Sequence, residues 1–171
     1  MEWLVEQAHP SDGPEVYDIV ARAFGREDEA QLVDRLIVSE VWLPGLALVA
    51  RPAGAPHGSI VGFAALSRIT VGGRPALALA PVAVAPGWQQ KGAGSALVRA
   101  GIARARQRGE RLILVLGDPR YYGRFGFRAA IPMGIHGPYD EAGPAFQALV
   151  PPGVGPVPSG LAVYPDLFAG L

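Results

Sequence analysis

Apolar residues recur along this chain at two spacings, every second position or every third and fourth, and the changes between them mark out its elements. Residues 3–8 read as a short strand. His9-Pro10-Ser11-Asp12 supplies cap residues, and Val16, Ile19, Val20, Ala23 and Phe24 then repeat at helical spacing as far as Gly25. A second helix is expected to begin at Glu27-Asp28-Glu29. These acids suit the positive end of a helix dipole, and Leu32, Val33, Leu36 and Ile37 share one face behind them. Strands are predicted at 46–51, 60–71 and 76–84, the first two joined by the turn-forming loop from Pro52 to Gly58. Gly72-Gly73 is a tight hairpin signal, so the three strands form an antiparallel meander.

Beyond Val84 the pattern changes character. A turn at Pro86-Gly87 leads into Gln89-Gln90-Lys91-Gly92-Ala93-Gly94, and a helix runs from about Gly92 or Ser95 to Arg108, stopped by Gly109. The continuous apolar run at 112–116 is that of a strand covered on both faces. Strand, crossover helix and strand make a right-handed parallel unit. Asp118 as N-cap and Pro119 at the first helical position open another short helix, which carries Tyr121 and Tyr122. From Pro132 onward the chain is rich in Pro and Gly, with strands at 146–150 and 160–164. No repeat and no linker divides the 171 residues, and the reading is a single α/β domain with a mixed sheet.

The glycine loop carries the chemistry. A loop delivering the chain into a helix N-terminus leaves backbone N–H groups without partners, and with the dipole they form an anion site suited to phosphate. Gly92 and Gly94 lack the Cβ atoms that would hold a phosphate off the backbone. Lys91, the only lysine among fifteen basic residues, stands in the same loop. A nucleotide P-loop would need its lysine after the second glycine, and a dinucleotide fingerprint would need Gly or Ala where Leu97 stands. Both spacings are absent.

Composition narrows the setting. The formal charge is zero, which argues against broad nucleic-acid binding. There is no cysteine, so neither disulfides nor thiolate nucleophiles or metal ligands occur, and no metal site is expected. The N-terminus has no basic region or long apolar run, and no stretch reaches the roughly 20 apolar residues of a membrane span, so a cytoplasmic location is expected.

The pattern Gln89-x-x-Gly92-x-Gly94 after a strand resembles the coenzyme A pyrophosphate loop of the GNAT superfamily of N-acetyltransferases. The element order resembles that fold over nearly the whole chain. Tyr122, four residues before Gly126-Phe127, matches the family's tyrosine, and GDPRYYGRFGF is similar to a subgroup of small-molecule acetyltransferases. Asp118-Pro119 stands where the commoner pattern has an Asn-rich lead.

The resemblance implies acetyl-CoA as cosubstrate. Its pyrophosphate would lie on the backbone of Gln90, Lys91, Gly92, Ala93, Gly94 and Ser95, with Gln89 of the motif also in the cofactor site, and its pantetheine on Val82, Ala83 and Val84 where two strands splay apart. A neutral primary amine would attack the thioester, Tyr122 would protonate the departing thiolate, and an N–H near Val82 would steady the oxyanion. Tyr121 is read as core, Asp118 as a helix cap and Arg99 as a solvated face. The acceptor, a small molecule or a peptide amine, has no signature. The base is open among His57, His136, Glu40, Asp140, Glu141 and water, and a homodimer is left open. Residues 132–171 are expected to supply part of the acceptor pocket through Met133, His136, Tyr139 and Phe146. The alternative is a non-catalytic acyl-CoA-binding or regulatory domain of the same fold.

Overall fold

Gly72 and Gly73 take φ of +58° and +76°, values that a side chain resists and a tight hairpin requires. They join β3 (Gly62–Val71) to β4 (Arg74–Val84), the longest pair in the sheet. β2 (Ala47–Pro52) and β1 (Trp3–Gln7) add to the other side of β3 in antiparallel order, completing the meander. The computed structural model describes residues 1–55 and 57–169.

The alternation of side chains in β2 and β3 sorts the core into two layers. Leu48, Ala50, Ala64 and Leu66 pack beneath α3 (Ala93–Gln107), with Leu97, Val98 and Ala105. Val49, Phe63 and Ala65 face the opposite way, against α1 (Gly13–Phe24) and its Val16, Ile19 and Val20. α2 (Asp28–Ile37) follows α1 and buries Leu32 and Leu36 against Phe168. Gly101 admits the sheet closely to α3: a Cβ there would lie 2.9 Å from Leu66 Cδ1.

α3 returns the chain to β5 (Ile113–Leu116), parallel to β4, as the crossover predicts. The pairing is short. Leu77 and Ala78 oppose Ile113 and Leu114, and no further rungs follow. At the same level the β3–β4 register slips: Ala64 opposes Val82 but Leu66 opposes Leu79, so β4 carries an extra residue around Ala80-Pro81. A bulged strand bends, and Pro81 has no N–H to offer a neighbour. The sheet therefore opens between the C-terminal halves of β4 and β5.

The C-terminal segment closes the far side of that opening. β8 (Phe146–Leu149) pairs antiparallel with β5, and β9 (Gly160–Val163) continues along the edge of β3 beyond β2. Two-residue strands at Arg128–Ala129 (β6) and Ile135–His136 (β7), which the sequence pattern does not foretell, pair with β8 and β9. Among the described residues no helix is long and apolar enough to cross a membrane.

Candidate functional site

The glycine loop is tied down at both ends. Gln89 Nε2 donates to Val84 O at 3.1 Å, and Trp3 Nε1 of β1 donates to Lys91 O at 3.0 Å. Gln90 and Gly92 take positive φ, +60° and +94°, and the second of these caps α3. No side chain caps that helix. Ala96 N–H already bonds Gly92 O, so Ala93, Gly94 and Ser95 offer the uncompensated N–H groups of its first turn. They open into a groove of about 550 Å³ lined by Val82, Val84, Gln89, Gln90, Gly92, Gly94 and Ser95.

Not every residue expected here reaches the groove. Lys91 sets its ammonium 5.3 Å from the centre of the Trp88 ring, and only its carbonyl serves the loop. Ala83 is buried, and Ala93 buries its side chain and contributes only its N–H at the helix start. Ala85 N–H donates to Val61 O at 2.8 Å, so by strand alternation Ala83 also turns its polar groups to β3. Val82 and Val84 turn theirs the other way, toward the gap left by β5. The Val84 carbonyl spends part of its capacity on Gln89.

Two residues that sequence reasoning did not assign to the groove line it. Tyr121, read as core, is half-buried, and its hydroxyl lies 2.9 Å from where a Cβ of residue 94 would stand. Arg124 lies over the Tyr121 ring at 4.7 Å, and its Nη2 donates to Ser95 Oγ at 3.0 Å, bringing a positive charge to the helix start. The spacing of Tyr121 and Arg124, three residues apart in a tight turn, is the signal that pairs them. Arg99 instead sits 4.9 Å from the Phe125 ring centre and does not line the groove.

Tyr122 is held by the turn before it. Asp118 accepts from Arg120 N–H at 2.8 Å and caps α4 (Pro119–Tyr122). That contact, with the Arg120 guanidinium, holds the Asp118 carboxyl below its ordinary range. Gly117 is clamped to the sheet: its N–H donates to Ala145 O, and its carbonyl accepts from the buried Gln147 side chain at 3.1 Å. The Tyr122 ring packs edge-on to Phe127 and Tyr121 at 5.7 and 4.9 Å. Burial, reinforced by Tyr121, pushes its hydroxyl pKa up to about 12. No hydrogen-bond partner for that hydroxyl occurs among the described residues.

A second hollow of about 330 Å³ lies on the other side of Tyr122, between α2, the ends of β4 and β5, and the C-terminal segment. Tyr122 and Val82 line both hollows. Tyr139 lines the second hollow, joined by Tyr164 and Phe168. His136 does not: it is exposed, 3.7 Å from Asp140. Phe146 is fully buried core, and Met133 packs against the same cluster. None of His57, His136, Glu40, Asp140 and Glu141 lines this hollow, whereas Glu29, read only as a helix-start acid, does.

The sequence profile described as the acetyltransferase (GNAT) family matches residues 13–127. The chain belongs to that family. It is 38% identical over 117 residues to the uncharacterized N-acetyltransferase YjhQ of Escherichia coli K12, an alignment covering 68% of this chain and 65% of YjhQ. The chain thus spans just under two thirds of that relative. Among solved GNAT structures, YhbS from Escherichia coli in complex with CoA superposes with a TM-score of 0.86 at 28% identity, covering 97% of this chain and 91% of YhbS. A GNAT family acetyltransferase from Brucella melitensis in complex with acetyl-CoA superposes with a TM-score of 0.78 at 30% identity, over 98% of each chain. The mixed GNAT sheet expected from the element order is therefore the fold observed, with the meander and the parallel β4–β5 pair.

Proposed function

We propose that this chain is an acetyl-CoA-dependent N-acetyltransferase that works where the two hollows meet. The observation that carries the reading is the shared wall: Val82 and Tyr122 border both the groove at the α3 N-terminus and the cavity beyond it. The groove suits the donor. The N–H groups of Ala93, Gly94 and Ser95 suit its pyrophosphate, the outward N–H and C=O groups of Val82 and Val84 suit the pantetheine amides, and Arg124 adds positive charge. The CoA and acetyl-CoA complexes of the relatives support this assignment.

An amine in the cavity, once its ammonium has given a proton to water, attacks the thioester carbon with its lone pair. As the tetrahedral carbon collapses its bond to sulfur breaks, and the Tyr122 hydroxyl gives its proton to the departing thiolate. The second proton that the nitrogen sheds as the amide forms passes through water to restore Tyr122. A tyrosine hydroxyl is protonated at neutral pH, the state an acid needs, and burial here only strengthens that preference. The rival reading, an acyl-CoA-binding domain without turnover, leaves a protonated tyrosine facing the cavity unused.

Calorimetric titration tests the donor site. Wild type should bind acetyl-CoA at one site, and neither NADH nor ATP comparably. Gly94→Val should abolish measurable binding or weaken it by about 100-fold, since its Cβ meets the Tyr121 hydroxyl and the branch closes the approach to the helix N–H groups. A folded Gly94→Val protein that binds as tightly as wild type contradicts the assignment.

A further inference from the structure

The cavity beyond Tyr122 has an uneven chemistry that bears on the acceptor, given the acetyltransferase reading above. Its body is apolar and aromatic. Tyr139 and Tyr164 meet edge to face at 5.0 Å and Tyr164 meets Phe168 at 5.7 Å, a run of rings facing Leu32 and Leu79. Burial holds the Tyr139 and Tyr164 hydroxyls above their ordinary pKa, so they are neutral. Among the described residues only two charged side chains line it, Arg26 and Glu29.

Those two are not equivalent. The Glu29 side chain is 9% exposed, that of Arg26 is 55% exposed. Arg26 donates from Nε to both Glu29 oxygens at 3.1 Å, with a further bond from Nη2, so the Nε edge of its fork is spent on Glu29. Its Nη1 lies 3.8 Å from Asp28 Oδ2. The carboxylate keeps lone pairs beyond those the fork takes. A cation entering the cavity meets this embedded carboxylate and the faces of several rings, both favourable. An anion meets the same carboxylate and a guanidinium whose charge is already shared by Glu29 and Asp28.

We propose that the cavity takes a singly charged primary amine on an apolar, ring-bearing body, and that Glu29 receives its ammonium. At about 330 Å³ the cavity lies at the small end of the range of about 300–1,000 Å³ for ligand sites, which suits a compact amine. Acceptors bearing a carboxylate next to the amine are disfavoured, because the added charge would be desolvated beside Glu29 while the charge of Arg26 is already engaged by Glu29 and Asp28.

Thiol release measured with three matched amines tests this: 2-phenylethylamine, phenylalanine, and phenylalaninamide, which has the bulk of phenylalanine without its negative charge. The two uncharged-body amines should be acetylated, and phenylalanine should show kcat/KM lower by about 100-fold. Glu29→Gln should raise KM for 2-phenylethylamine by roughly 10-fold while leaving acetyl-CoA affinity unchanged. The inference is overturned if phenylalanine matches 2-phenylethylamine, if KM is unmoved in Glu29→Gln, or if wild type binds acetyl-CoA yet acetylates none of the three. The wild-type comparison stands even if the variant fails to fold. Failure of wild type to bind acetyl-CoA overturns the acetyltransferase reading instead, by a separate measurement.

Discussion

Gly117 has no room for a side chain, because a Cβ there would lie 2.4 Å from Tyr122 Cε2 and 2.9 Å from Cδ2. Its missing Cβ is the seat of the Tyr122 ring, and Gln147 and Ala145 fix the backbone that makes the seat. Gly117→Ala should therefore tilt the ring and lower kcat by about 100-fold, as misplacement of a reacting group by about 1 Å does. Acetyl-CoA affinity, measured by calorimetry, should hold, since the N–H groups of α3 are untouched. A wild-type kcat in this variant would mean that the ring position is immaterial. The hydroxyl itself predicts a pH dependence. Its pKa rises from 10.0 unfolded to about 12 folded, so the protonated form is favoured by folding. The associated stability is complete below pH 10 and is lost as pH rises through about 12. The proposed mechanism needs the same proton, so it predicts no loss of kcat from Tyr122 until about pH 11. A basic limb near pH 9 that disappears in Tyr122→Phe would contradict that assignment. The adjacent tyrosines show where a sequence stops being legible. Neighbours in a helix point about 100° apart, so one of the pair had to leave the core, but nothing in Tyr121-Tyr122 says that the first turns to Gly94.

The elements themselves were largely readable. Helical spacing placed α1 and α2, the Gly72-Gly73 turn placed the β3–β4 hairpin, and the Asp118-Pro119 pair placed α4, because each is decided by local physics. The glycine loop was readable for the same reason: positive φ and an uncapped helix start are local demands. What the elements do to one another was less so. Lys91 looked like a phosphate ligand by charge and position, yet the Trp88 face beside it draws its ammonium away. Glu29 looked like an acid matched to the helix dipole. Its place in the cavity wall follows only from how α2 docks across the open end of the sheet, and docking leaves no local mark. His136 and Tyr139 share one Pro/Gly-rich segment, and the chain turns only the tyrosine inward.

At the scale of the whole molecule, the working volume is a consequence of a short pairing. β4 and β5 share rungs only at Leu77 and Ala78, and the extra residue at Ala80-Pro81 turns the rest of β4 away. The gap so opened borders the groove at the α3 N-terminus on one side and the aromatic cavity on the other, with Tyr122 between them. The hydrophobic pattern announced the parallel crossover, and only the family resemblance put the parting of the strands at Val82 to Val84. Its physical cause, a register slip between β3 and β4, left no mark in the pattern. The central claim is that acetyl transfer occurs at this junction with Tyr122 as the acid. Steady-state thiol release with an amine the wild type acetylates, measured for Tyr122→Phe and Tyr121→Phe together, tests it most directly. Tyr122→Phe should lose about tenfold to a hundredfold in kcat and kcat/KM alike, with acetyl-CoA affinity unchanged. Tyr121→Phe, whose hydroxyl lines the donor groove, should keep kcat and raise KM for acetyl-CoA. Full activity in Tyr122→Phe, or a larger loss of kcat in Tyr121→Phe, would contradict the account.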